Sequence, residues 1–304
     1  MVFSSPYFIF IFLPFALLIC LLLRKAAYLP LIFLVSLAFY FWSSGNHVLI
    51  LLAIIALNYF GALLIGKEKY RPWFWVFLGL NVAIIFTYKY LTFVARNVDM
   101  LLGSDLATHI GDIALPAGIS FFVFQGISYL VDVRRRDIPG ERNFIVYAAY
   151  QSFFPHLIAG PIVRFRDVIG DLLKPRLSSA LFAAGVTRFA HGLFKKVVIA
   201  DSIAPIADGI FAMPPDQIDF VSAWIGATAY ALQIYFDFSG YSDMAIGMAA
   251  MFGIKFAENF ERPYASRSIT EFWRRWHMTL SSWFRDYVYV PLGGNRGGTL
   301  ATYR

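Results

Sequence analysis

Residues 268–285 gather one histidine, three arginines and three tryptophans. Ser268-Ile269-Thr270-Glu271 has the form of a capping box, so a helix is expected to start there and run through about Arg285. At 100° per residue, Trp273, Trp276, Leu280 and Trp283 form one apolar stripe, with His277 and Phe284 at its edge. Ser281, then Arg274 and Arg285, follow on the far side of His277. The histidine thus stands between an apolar wall and a cationic sector, a placement suited to handling a proton or orienting an anionic donor. The same pattern fits an interfacial helix, with Trp at the headgroup level and Arg snorkelling to phosphates. Periodicity alone favours that plainer alternative.

Two further sets stand out. Tyr230, Gln233, Asp237 and Tyr241 share one face of a long apolar helix. A carboxylate in such a place faces a cavity or a partner, or makes a structural hydrogen bond to a neighbouring helix. Ala245, Ala249 and Gly253, four apart, read as a small-residue packing face. Upstream, Gln151, His156 and Arg164 fall in a stretch interrupted by Pro155, Gly160 and Pro161. Polar groups on broken backbone line a cavity more readily than those in a regular span, although a hydrogen-bonded structural role is the simpler one for His156 alone. There is no phosphate-binding glycine loop after a strand, no Gly-x-Ser-x-Gly elbow and no metal-ligand spacing. The run Gly293-Gly294-Asn295-Arg296-Gly297-Gly298 reads as a turn.

The elements that must position these residues are membrane helices. Charged residues make up only 15% of the 304, against about 25% in a soluble domain. Residues 1–23 and 26–66 carry no charge at all, and about 20 apolar residues suffice to span the hydrocarbon core. The sequence predicts an all-α bundle with spans at about 6–23, 29–43, 47–66, 72–95, 114–131, 178–200 and 220–253, the second and third parted by a turn at Ser43-Ser44-Gly45-Asn46. Residues 255–304 form a charged region after the last span, with 12 charged residues, eight of them basic.

Charge then sets the topology. The net charge of +7 reads as membrane orientation, and no basic patch of nucleic-acid-binding type is present. With the N-terminus outside, Arg24-Lys25, the 67–71 run and Arg134-Arg135-Arg136 all fall on the cytoplasmic side, as the positive-inside rule requires. The missing positive charge before residue 24 argues against a cleaved signal peptide. The sole cysteine, Cys20, lies in the first span and excludes an intrachain disulfide. A full crossing by 143–163 would put Arg164, Arg166, Lys174 and Arg176 outside and the acidic 201–219 loop inside. A re-entrant or broken segment there removes both violations.

Three stretches resemble the membrane-bound O-acyltransferase family: Gln151 through Arg164; Tyr235-Phe-Asp-Phe-Ser-Gly-Tyr-Ser-Asp243 continuing through Asn259-Phe-Glu-Arg-Pro-Tyr264; and Phe272-Trp-Arg-Arg-Trp-His-Met-Thr-Leu-Ser281 continuing to Asn295. The likeness covers the chain and is densest from 235 to 296. It implies a helical bundle of the bacterial inner membrane, enclosing a tunnel, that transfers an acyl group to a hydroxyl. Acetyl-CoA is the implied donor, with no bound cofactor or metal. The implied acceptor is an exported polysaccharide, alginate, reached with a periplasmic acetyltransferase partner. Peptidoglycan acetylation and D-alanyl transfer to teichoic acid belong to similar proteins. By this resemblance His277 is one of a pair of family histidines and would orient or hold a reacting group, while the other, usually given the leading catalytic role, would be the base that takes the hydroxyl's proton. Arg274, Arg275 and Arg285, with Trp273 and Trp276, would meet the donor. Gln233, Asp237 and Tyr241, with Gln151, His156 and Arg164, would line the tunnel. The second family histidine stands in a Trp-His-Gly context that does not occur here, so the sequence is expected to be an N-terminal part of a longer protein. A polysaccharide or lipid-linked transporter, or a scaffold of an export complex, is the alternative of another class.

If 143–163 turns back, position 170 is cytoplasmic. A cysteine placed there is expected to resist a membrane-impermeant thiol reagent applied outside the cell, and labelling from outside would overturn this topology.

Overall fold

The computed structural model describes residues 3–111 and 113–295. Every regular element among them is helical, as expected of backbone that must satisfy itself in hydrocarbon. Ala27–Ile65 and Glu68–Leu102 are long and apolar enough to cross a bilayer by length and composition, and Phe8–Leu22 is a shorter apolar helix. The first stretch is broken at the expected turn, where Ser44 (φ −131°) and Gly45 (φ +57°) leave the helical region. On Phe8–Leu22, Leu13, Ala16 and Cys20 are buried while Phe10, Phe15, Leu18 and Leu22 stand exposed. Both faces are apolar, which suits a helix with lipid on its outer side.

The described residues divide into two compact units. One comprises Lys25–Ile158 and Arg164–Ile169. In it the Val48–Ile65 and Phe74–Ile85 helices are joined by a reciprocal amide pair, Asn58 to Asn81, at 2.9 and 3.2 Å. Gly126 of Ile119–Arg135 lies so close that a Cβ there would sit 2.2 Å from the Asn58 amide. Tyr129, Tyr147 and Tyr150 cluster around Phe165 with ring centroids 5.0–6.2 Å away. Phe144–Ser152 is capped by Asn143, whose Oδ1 accepts from the Ile145 N–H. It ends at Phe153 (ψ 109°), and Phe154–Leu157 adds one further turn. Nine residues rise only about 14 Å, so the segment is broken, and its backbone lies among buried residues from Val146 to Leu157.

The other unit gathers the described parts of Met1–Arg24, Ala159–Val163 and Gly170–Arg304. Its axis is Phe220–Met251, 32 residues capped by Asp219 and about 48 Å long. Against it runs Ser179–Leu193, which continues through a π-helical stretch, Phe194–Ala200, into Asp201–Phe211. The expected span of 178–200 therefore extends eleven residues further than the charge pattern suggested. The wider turn brings Lys196 to Asp201, five residues on, at 2.7 Å. Likewise the span expected at 72–95 continues helically to Leu102, where Gly103 closes it in the left-handed region.

The two long helices meet through glycine. A Cβ on Gly185 would lie 2.7 Å from the Gly247 carbonyl oxygen, and one on Gly192 would lie 2.5 Å from that of Gly240. The reverse distances are 2.6 and 2.8 Å. Each helix thus offers two glycines seven residues apart. This close approach supplies the packing that small residues provide where lipid removes the hydrophobic drive between helices. Asp243 reinforces it, accepting from Arg188 at 2.8 Å and Lys195 at 2.6 Å. Ala245 and Ala249 are buried as expected, but the nearest backbone approach falls at Gly240 and Gly247. Residues 291–295 turn, with Gly293 and Gly294 at positive φ. The rest of the glycine run, and of the 255–304 region, lies outside the described residues.

The most consequential departure concerns 268–285. Ser268 does cap a helix, its Oγ accepting from the Glu271 N–H at 3.1 Å. That helix is only Ile269–Arg275. The chain then turns through Trp276 (ψ 128°) and His277 (φ 43°, ψ 52°) before Met278–Phe284 begins. The continuous stripe is therefore absent: Trp273 is exposed while Trp283 is buried. The capping signal is local and legible, whereas the break is imposed by tertiary hydrogen bonds.

Gly247→Leu or Gly192→Leu is expected to lower the thermal midpoint in detergent, at an overpacking cost of about 1–3 kcal/mol or more. Gly209→Ala, at a helical site with open space around it, is expected to leave the midpoint unchanged or raise it. An unchanged midpoint for both leucine variants would show that the helices do not meet there.

Candidate active site

The left-handed turn at His277 is held by Asn259, which lies in the irregular segment after the long axial helix. The Asn259 carbonyl oxygen accepts from the Met278 N–H at 3.0 Å. Its side-chain Oδ1 accepts from the Thr279 N–H at 3.3 Å and from Thr279 Oγ1 at 2.9 Å. Its Nδ2 donates to Ser242 Oγ at 3.0 Å. A backbone N–H only donates, so the atom facing Thr279 must be the amide oxygen. The same Oδ1 lies 3.0 Å from His277 Nδ1. It follows that Nδ1 carries the proton and Nε2 keeps its lone pair. Asn259 thus fixes both the backbone and the tautomer of His277.

Aromatic rings surround the imidazole. Phe238 meets it edge-on with centroids 4.7 Å apart, and Phe260 lies nearly parallel at 6.4 Å. Trp276 stacks on Phe272 and meets Phe260 edge to face, and Tyr235 and Tyr264 complete the cluster around it. His277 is 7% exposed, and burial pushes its pKa down to about 4. A buried, neutral imidazole with Nε2 unprotonated can accept the hydrogen of a hydroxyl and hold its oxygen in place.

The arginines differ in availability. Arg275 pairs with Glu271 at 2.9 Å, and its backbone carbonyl accepts from the Glu261 N–H. Arg285 pairs with its neighbour Asp286 at 2.7 Å. Arg274 is exposed and makes no ion pair among the described residues. On the axial helix, Asp237 pairs with Lys196 at 2.5 Å, the neighbouring-helix partner that the simpler sequence reading allowed. Tyr241 packs on Phe3, and Tyr230 is half-exposed against Phe211. Gln233 Oε1 is buried without a hydrogen-bond partner among the described residues.

Gln151 and His156 belong to the other unit. Gln151 Nε2 donates to the Phe122 carbonyl, and its Oε1 accepts from the Tyr147 hydroxyl at 3.0 Å. His156 is buried, and its Nε2 donates to the Tyr150 carbonyl at 2.9 Å. Both side chains therefore brace the broken segment. Arg164 is buried at the point where the chain re-enters that unit. Between these residues, the Ile162 N–H donates to Thr279 Oγ1 at 2.9 Å within the His277 unit. Asn259, Ser242 and Thr279 hold the His277 turn in place, and residue types alone did not single them out. The sequence signal for them is that all three fall within the stretches that carry the family resemblance.

The sign of the pH effect follows from the lowered pKa. As pH falls, the unfolded chain takes up the His277 proton first, near 6.5, so the stability this residue contributes above that pH is lost toward about 4. Ring nitrogen NMR at pH 5.5 is expected to find His277 still neutral with its proton on Nδ1. A protonated ring at that pH would refute the assignment.

Comparisons with known proteins include this region. The family model described as MBOAT, membrane-bound O-acyltransferase family, matches residues 134–304. The whole chain is 46% identical to a probable alginate O-acetylase of Azotobacter vinelandii, covering 62% of that protein. It is 38% identical to a peptidoglycan O-acetyltransferase of Helicobacter pylori, covering 64% of it. Over 57% of the chain it is 32% identical to a teichoic acid D-alanyltransferase of Bacillus subtilis, covering 44% of it. The chain spans about three-fifths of the length of the alginate O-acetylases it matches. With more than half of its residues matched by the family model, this membrane protein belongs to the membrane-bound O-acyltransferase family.

Proposed function

We propose that the protein acts in an O-acetyltransferase of the bacterial inner membrane. It moves an acetyl group from acetyl-CoA at the cytoplasmic face toward hydroxyls of an exported polysaccharide, alginate, together with a periplasmic acetyltransferase partner. The similarity to alginate O-acetylases supports the reaction class and the acceptor. The observation that carries the chemistry is the buried His277, whose Nε2 lone pair is left available by the Nδ1–Asn259 contact. The proposed topology has seven crossings, the N-terminus outside, and 143–163 returning to the cytoplasmic side, which puts that segment and His277 on the same side as the donor.

In this reading His277 accepts the hydrogen bond of the attacking hydroxyl. The hydroxyl oxygen bonds to the thioester carbonyl carbon, the C–S bond breaks, and the proton passes by way of Nε2 to the departing CoA thiolate. A pKa lowered to about 4 makes Nε2 a weak base at neutral pH, so orienting the hydroxyl is the larger part of its role. Arg274 supplies a cation for the donor's phosphates. Trp273, exposed beside it, gives an apolar flank. Gln233, with its buried unpartnered carbonyl oxygen, offers an acceptor in the tunnel wall.

The peptidoglycan and teichoic-acid relatives favour a second reading that differs only in acceptor. A transporter needs an intramembrane carboxylate free to exchange partners, and the Lys196 pairing of Asp237 weighs against it.

In cells making the polymer, His277→Ala is expected to lower acetyl esters per sugar about 100-fold or more, at normal protein level and with export intact. Arg274→Ala is expected to raise the KM for acetyl-CoA with a smaller effect on kcat. Unchanged acetylation in His277→Ala would remove His277 from the mechanism. Lost export with acetylation per sugar intact would favour the transporter.

A further inference from the structure

The Lys25–Ile158 unit contains a cavity of about 1170 Å³ that the acyl-transfer reading does not use. Its apolar floor is Phe60, Leu63, Leu64 and Phe77, and its rim carries Lys67, Arg136 and Arg142. Glu68 is the one acid on that rim, and it is already engaged by Arg136 and by Arg71, the latter at 3.3 Å. Lys67 and Arg142 are exposed and make no ion pair among the described residues. The rim therefore holds two cations without counter-charge above a hydrocarbon-lined floor.

The cavity sits where two helices end together. Arg71 Nη2 donates to the Arg134 carbonyl at 2.8 Å, joining the turn after Val48–Ile65 to the end of Ile119–Arg135. Arg134 lies over the rings of Phe74 and Trp75 at 4.4 and 4.8 Å. Trp73 and Trp75 are themselves exposed, as belt residues at a membrane interface are. The loop through Gly140 forms one wall, and a Cβ at Gly140 would meet the Ala62 carbonyl oxygen at 3.1 Å. Phe60 is 61% exposed beside this floor, so the apolar part faces lipid while the cations stand at the headgroup level. By the positive-inside rule that level is the cytoplasmic leaflet.

We propose that this cavity binds an anionic phospholipid of the cytoplasmic leaflet. Its phosphate group sits between Lys67 and Arg142, and an acyl chain lies along Phe60, Leu63, Leu64 and Phe77. Charge and shape both select it. Basic pockets between membrane helices favour anionic headgroups, a free phosphate has no use for the floor, and a zwitterionic headgroup brings a choline cation against Lys67. The proposal depends on the membrane placement of this unit and not on the acetyl-transfer reading.

The test is native mass spectrometry of the purified full chain in detergent, titrated with phosphatidylglycerol, phosphatidylcholine, CoA or inorganic phosphate. Phosphatidylglycerol is expected to be retained in preference to phosphatidylcholine, and neither CoA nor phosphate to displace it. Lys67→Gln with Arg142→Gln is expected to weaken phosphatidylglycerol roughly tenfold or more. Lys89→Gln with Lys174→Gln, the same change of charge elsewhere, is expected to leave it unchanged. Leu63→Trp fills the floor with the cations intact and is also expected to lose the lipid, which decides the matter if the charge variant does not fold. Equal loss in both charge pairs, equal retention of phosphatidylcholine, or displacement by CoA or phosphate would overturn the proposal.

Discussion

Buried backbone that leaves a helix must find a hydrogen-bond partner, and this requirement governs the parts of the molecule where chemistry is placed. An unsatisfied buried donor costs about 1–3 kcal/mol, and hydrocarbon offers no water to offset it. At four sites in or beside the irregular segments a polar group distant in sequence takes the orphaned N–H. Ser36 Oγ accepts from Phe154, the Tyr129 hydroxyl from Glu141, Thr279 Oγ1 from Ile162, and Asn259 Oδ1 from Thr279. The Ser36, Asn259 and Thr279 side chains are themselves buried. Irregular segments are thereby as well determined as the helices around them, which a site built on irregular backbone requires.

Helix association answers the complementary problem. Lipid tails compete for apolar surface as well as any neighbouring helix does, so proximity must come from small residues and polar contacts. The Gly185–Gly247 and Gly192–Gly240 approaches bring two backbones together, and the Asp243 pairs with Arg188 and Lys195 fix their register. In the other unit the Asn58–Asn81 amide pair and Gly126 perform the same task. These contacts also decide what each polar residue can do. Asp237 and Arg275 are occupied by partners, whereas Arg274 and the Nε2 edge of His277 remain available for a ligand.

Much of this is written locally in the chain. The apolar runs mark the helices, and Asn143, Ser178, Asp219 and Ser268 each cap the helix they precede. The prolines and glycine of 155–161 announce the broken segment. What eludes periodicity is set by tertiary contact. A π-helical stretch carries the 178–200 helix on to Phe211, because nothing in the residue types of 194–200 marks a wider turn. Arg274, His277 and Trp283 do not share one helix surface, since Asn259, eighteen residues before His277, supplies the hydrogen bonds that make a break there tolerable. The motif resemblance singles out His277, but only the structure gives its tautomer.

The conformation of His277 sharpens its role. Its φ of 43° places a bulky side chain in the left-handed region, at a cost of about 1–3 kcal/mol. A continuous helix from Ser268 would avoid that cost and would need no help from Asn259. The break does two things a continuous helix cannot. It ends one helix at Arg275 and starts another at Met278, so the imidazole projects from a corner and not from a stripe shared with Trp273 and Trp283. It also aims Nδ1 at Asn259 Oδ1, which forces the lone pair onto Nε2. Strain alone would not identify a functional site. Strain, burial and tautomer control acting on one imidazole, inside an aromatic cluster and three residues from an arginine with no ion pair among the described residues, make His277 the position at which this fold concentrates preorganisation.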